Sequence, residues 1–242
     1  MWFLINHLVS PKKFFQFSMP LLPWLTLLFI ALFMYGMVGG LVLAPADYIQ
    51  GDGFRIIYIH LPCAFLSLFI YMVMAAAAAS QLVWHLKLAP LIIRHSAPLG
   101  ASFTFLSLLT GSLWGKPMWG TWWIWDARLT AELILLFLYM GIILLQSAMA
   151  QKQSATGTLS ILVLVGFVDI PIIHYSVYWW NTLHQGASLK LFAPSTIDVS
   201  MRYPLLAMIA AFLLYYLIVL LLRVNYELTA LSANHHWLKE LA

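Results

Sequence analysis

Two histidines and a cluster of tryptophans hold the residue types best suited to chemistry. His60 stands at the start of the apolar stretch 60–84. His184 closes the string Tyr178-Trp179-Trp180-Asn181-Thr182-Leu183-His184, just past the apolar stretch 158–180. Between them in sequence lies the segment 114–130, and five of the chain's 11 tryptophans fall between Trp114 and Trp125. An axially ligated haem needs a nitrogen above and below its iron and apolar cover for the porphyrin faces. Two imidazoles at one depth beside an aromatic shelf supply both. Each histidine taken singly also fits a hydrogen-bonded residue at a membrane surface. If 119–126 is helical, Trp119, Trp122, Trp123 and Asp126 share one face at i, i+3, i+4 and i+7, with Trp114, Gly120 and Trp125 completing the shelf. Tryptophan faces give a large flat apolar ligand much contact area at low entropic cost. The same spacing also fits an amphipathic anchor helix that binds no ligand.

Haem carries two propionates, and the planar fork of arginine matches carboxylate geometry. Arg55, Arg128 and Arg202 all fall near helix mouths on the side of the Trp loop. Arg128 also stands four residues before Glu132, and that pairing would hide the acid at the top of the fourth apolar stretch. Asp126 is placed to orient an indole or brace an arginine. Asp169 and His174 fall inside the fifth stretch, where ionisable residues are costly and functional by default. They are five positions apart and do not share a helix face, and Pro171 between them predicts a kink. His174 remains open as a neighbour of the ligands, a ligand in another state, or a bundle hydrogen bond. His7, His85, His95, His235 and His236 read as solvated loop or tail residues.

The elements that must position these groups are membrane helices. The chain has 242 residues, 63% hydrophobic and 8% charged, with a mean hydropathy of +0.91. A soluble domain carries about 25% charged residues, so a water-soluble fold is excluded, and disorder with it. The net charge of +4 is scattered along the chain, which argues against nucleic acid as a partner. A bilayer core takes about 20 apolar residues per helix. Such runs lie near 20–43, 60–84, 97–114, 128–149, 158–180 and 202–223. These predict an all-α, polytopic six-helix bundle over 1–242 as a single domain, with an interfacial Trp-rich loop helix at about 114–130. The first run is too long for the core of a signal peptide and reads as a retained span.

Six spans put both termini on one side. That side carries Lys12, Lys13, Lys87, Arg94, Lys152, Arg223 and Lys239, seven in all, against five on the other: Arg55, Lys116, Arg128, Lys190 and Arg202. The positive-inside rule then sets both termini in the cytoplasm and the Trp loop outside. The single cysteine, Cys63, excludes a C-x-x-C-H attachment site and reads as a small buried hydrophobe. Two rivals remain. A di-haem quinol oxidoreductase subunit would want histidines at two depths, and a solute transporter would want several polar residues along a midplane path.

The string Trp119-Gly120-Thr121-Trp122-Trp123-Ile124-Trp125-Asp126-Ala127-Arg128-Leu129-Thr130 resembles the tryptophan-rich WWD signature of the haem-handling protein family. Six spans with histidines flanking that loop, and the stretches Asp169-Ile170-Pro171 and 178–186, resemble its CcmC branch over essentially the whole chain. The resemblance implies a carrier rather than an enzyme, with haem b as cofactor, in the bacterial inner membrane. It implies His60 and His184 as axial ligands and the segment from Trp119 to Asp126 as the place where haem meets a periplasmic haem chaperone, CcmE. Other implied partners are an ABC transporter of CcmA and CcmB, the small membrane protein CcmD, and membrane lipid.

Overall fold

The computed structural model describes residues 10–149, 155–184 and 197–231. His7, Lys152, Lys190, His235, His236 and Lys239 lie outside the described residues. Among the described residues the bundle has seven α-helices: α1 (Pro11–Met37), α2 (Ile57–Trp84), α3 (Ala89–Trp119), α4 (Ala127–Ala148), α5 (Ala155–Gly166), α6 (Asp169–Trp179) and α7 (Val199–Leu231). A π-helical turn, Val38–Leu43, prolongs α1, and a 3-10 turn, Asp52–Ile56, leads into α2. Among the described residues, five stretches are long and apolar enough to cross a bilayer: 11–43, 52–84, 127–148, 157–179 and 199–230. The sixth expected span lies within α3. At about 1.5 Å per residue its 31 residues are long enough to cross, and its many Ser, Thr and Gly residues lower its hydropathy.

The fifth span is two helices. The chain turns at Phe167 and Val168, and α6 starts afresh at Asp169. Pro171 signals this break, but the helix ends ahead of the proline. Pro171 has no N–H for the Phe167 carbonyl, which instead takes the N–H of Ile170 at 3.1 Å. Asp169 is buried at the break.

α2 is the central helix. It packs against α3, α5 and α7, and α7 in turn carries α1 along its length. Small residues let these helices approach, as expected where lipid gives no hydrophobic drive between helices. A Cβ on Gly100 of α3 would sit 2.2 Å from the ring of Tyr139 on α4, and one on Gly40 would sit 2.6 Å from the ring of Tyr58. Buried polar groups bond across helices. Ser67 Oγ donates to Glu132 Oε1 at 2.7 Å, and Asn225 Nδ2 donates to Ser18 Oγ at 2.8 Å. Cys63 is fully buried in the core.

Candidate functional site

Four helix ends meet at one end of the bundle: the first turn of α2, the last turns of α3, the start of α4 and the end of α6. They enclose a cavity of about 310 Å³, at the lower end of the usual range for ligand pockets, about 300–1,000 Å³. His60, His184, Trp114, Trp119, Arg128 and His174 all line it. His60 and His184 therefore share one cavity, although 124 positions separate them.

His60 enters the cavity from the first turn of α2 and is braced by α3. Its Nδ1 lies 3.0 Å from Thr110 Oγ1. The Thr110 hydroxyl spends its own proton on the Leu106 carbonyl at 2.6 Å, so it accepts from His60. Nδ1 of His60 thus carries the ring proton, and Nε2 is left with a free lone pair. Trp114 stands edge-on to the same ring, with centroids 5.6 Å apart, and its indole N–H donates to Gln50 Oε1 at 2.8 Å.

His184 lies past α6 and is braced by the start of α4. Its Nδ1 is 3.1 Å from Asp126 Oδ2. The Thr182 hydroxyl donates to that same oxygen and accepts the His184 N–H at 3.1 Å. Asp126 Oδ1 accepts the Leu129 N–H at 2.8 Å and so caps α4. Burial lowers the His184 pKa from its ordinary 6.5, with the Asp126 hydrogen bond and charge pulling the other way. For Asp126 itself burial works to raise the pKa. The hydrogen bonds from Thr182, Leu129 and His184 outweigh it and hold the carboxyl below its usual range. Near neutral pH this is a neutral imidazole backed by a carboxylate. Trp119 meets the His184 ring edge-on, with centroids 4.8 Å apart.

Residues 119–126 do not form a helix. α3 ends at Trp119, and Gly120, with φ of +76°, closes it in the left-handed region that glycine adopts without strain. The segment then bends through 120–122 and reaches α4 without forming a helix, so Trp119, Trp122, Trp123 and Asp126 share no helix face. The tryptophans divide. Trp114 and Trp119 line the cavity, whereas Trp122 and Trp125 are 56% and 77% exposed. Trp123 lies edge-on to Trp125, and Lys116 sits over the Trp122 ring. Asp126 holds His184 rather than an indole or an arginine.

Of the three arginines, Arg128 is on the cavity wall. Arg55 bonds Asp52 at 2.9 Å and the Gly40 carbonyl at 3.0 Å, tying the 3-10 turn to the end of α1. Arg202 lies in the first turn of α7 over the Tyr203 ring. Glu132 takes its hydrogen bond from Ser67 rather than pairing with Arg128. His95 is no solvated loop residue. It sits in α3, with Nε2 2.6 Å from Glu227 Oε2. Thr110, Thr182, Gln50 and Gly111 carry the site and were not singled out from sequence, because small polar residues in or near apolar stretches announce nothing by type.

The family model for CcmC, Heme exporter protein C, matches residues 4–239. The chain belongs to the Heme exporter protein C family. It is 46% identical over 241 residues to Heme exporter protein C of Escherichia coli strain K12, covering 100% of this chain and 97% of that one. It is 47% identical over 242 residues to Heme exporter protein C of Haemophilus influenzae, covering 100% and 98%. To Heme exporter protein C of Paracoccus denitrificans it is 39% identical over 220 residues, covering 90% and 91%. Like these members of the Heme exporter protein C family, it is matched across nearly its whole length, and the cavity belongs to the shared part.

Proposed function

We propose that this chain takes up haem at the outer face of the bacterial inner membrane and delivers it to the periplasmic haem chaperone CcmE during cytochrome c maturation. The observation that carries this reading is the shared cavity of His60 and His184, each with Nδ1 within hydrogen-bond distance of an oxygen, which leaves Nε2 as the nitrogen for iron. A histidine whose outer nitrogen is fixed in this way is the usual form of a metal ligand. Trp114 and Trp119 supply aromatic cover, and Arg128 supplies a cation for a propionate, with Arg55 and Arg202 as more distant candidates. Family membership supports haem as the cargo. The single, buried cysteine favours haem b, held without covalent attachment.

The excess of lysine and arginine on the termini side supports cytoplasmic termini and a periplasmic cavity. The exposed Trp122 and Trp125 at its rim are suited to receive the chaperone. CcmA, CcmB and CcmD are the further partners of this reading, and the chain acts in it as a carrier rather than an enzyme. The test is the haem spectrum of the purified protein with His60→Ala, His184→Ala and both together. Each single variant is expected to lose the low-spin bis-imidazole Soret pattern and most transfer to CcmE. Unchanged haem content and transfer in the double variant would overturn the reading.

A further inference from the structure

The two histidines are backed by groups of different charge. Behind His60 stand neutral acceptors: the Thr110 hydroxyl, which accepts from Nδ1 at 3.0 Å, and the Ser107 backbone carbonyl. Behind His184 stands Asp126, whose carboxylate accepts from Nδ1 at 3.1 Å. An anionic acceptor draws the Nδ1 proton more strongly than a neutral one and leaves more electron density on Nε2. The Asp126 carboxylate is itself fixed by the Leu129 N–H and the Thr182 hydroxyl, so its direction toward His184 is set before any cargo arrives.

We propose that the two axial positions are unequal: Asp126 makes His184 the strong, retained ligand, and Thr110 leaves His60 the weak, exchangeable one. This rests on the reading of His60 and His184 as axial ligands. Asp126 acts through His184 and is a positioning residue, not a ligand. Release then starts on the α2 side. The bond from iron to His60 Nε2 breaks, and an incoming donor, such as an imidazole of the receiving protein, takes the vacated position. This is ligand exchange with no change of oxidation state. The cargo stays attached meanwhile to His184, beside Trp119 and the exposed tryptophans, where a partner reaches it. Had the carboxylate stood behind His60, haem would be held deepest in the bundle at the moment of transfer.

Carbon monoxide is the probe. It binds ferrous haem by displacing the weaker axial ligand, and its Fe–CO vibration reports the ligand that remains opposite. In the protein with bound haem, Asp126→Asn, which keeps the shape and the helix cap, is expected to move that band, and Asp126→Glu to restore it in part. Thr110→Val should leave it in place. The reduction potential gives a second readout. Asp126→Asn should weaken ferric relative to ferrous binding about tenfold, a rise of about 59 mV for one electron, with a smaller change for Thr110→Val. A band that follows Thr110→Val and ignores Asp126→Asn overturns the proposal. If Asp126→Asn does not accumulate, Thr110→Val decides: an unmoved band supports the assignment and a moved one rejects it. Failure of the ligand reading is seen separately, as a bis-imidazole spectrum that survives loss of both histidines.

Discussion

Gly111 of α3 faces the imidazole of His60 so closely that a Cβ at position 111 would lie 3.1 Å from His60 Cε1. One turn on, a Cβ at Gly115 would lie 2.9 Å from Trp119 Cε3. The α3 face at the cavity is therefore cut to the shape of the groups packed on it. Gly111→Val should push the His60 ring off its Thr110 bond. Overpacking costs about 1–3 kcal/mol, so haem affinity is expected to drop about tenfold with helix content unchanged. Haem titration alongside circular dichroism measures both, and full affinity in Gly111→Val would show that the His60 ring is free to move.

If His184 ligates haem as proposed, it sets the pH dependence of haem retention. Burial holds its pKa below the ordinary 6.5, so the ring is neutral at pH 7 and Nε2 is available. A proton competes with iron for that nitrogen. Retention should be flat above neutrality and fall in acid, as pH approaches the lowered His184 pKa. Soret amplitude against pH reads this directly. Loss of haem on raising the pH from 7 to 9 would contradict the role given to neutral imidazole.

Packing of α3 on α4 turns on Gly100. Its Cβ position is 2.2 Å from the Tyr139 ring, and that ring is pinned by its hydroxyl, which donates to the Ser67 carbonyl at 2.7 Å. The fully buried ring cannot swing aside. Gly100→Val should destabilise the bundle by about 1–3 kcal/mol or more. Gly141 on α4 has open space around its Cβ position, so Gly141→Ala should be neutral or stabilising by up to about 1 kcal/mol. Thermal unfolding in detergent compares the two, and equal effects would place the cost in the backbone rather than in the Tyr139 contact.

The spans were legible in the sequence because hydropathy alone fixes where a chain can cross a bilayer. His60, His184 and the Trp loop were legible as a group because alternate helix ends must fall at one face. The helix reading of 119–126 failed at Gly120, since matching i, i+3, i+4 spacing cannot outweigh a residue that ends the helix in the left-handed region. Three arginines at one depth could not be ranked from sequence, because which side chain turns inward depends on packing. Arg55 is drawn away by Asp52 and the Gly40 carbonyl. Thr110 and Asp126 act through contacts between distant segments, which one-dimensional spacing does not contain.

The division of the tryptophans predicts a separation of function. Trp119 lines the cavity and touches His184, whereas Trp122 and Trp125 stand 56% and 77% exposed at its rim. Trp119→Ala should therefore lose haem itself. The double variant Trp122→Ala with Trp125→Ala should keep the haem spectrum and lose transfer to CcmE. Exposed tryptophans at an interface are often hot spots that cost 2 kcal/mol or more each when truncated, so affinity for the chaperone should fall by at least about thirtyfold. Haem content and co-purification of CcmE, measured on the same preparations, distinguish the two. If the rim variant lost haem while still binding the chaperone, these rings would belong to the cavity and not to a docking surface.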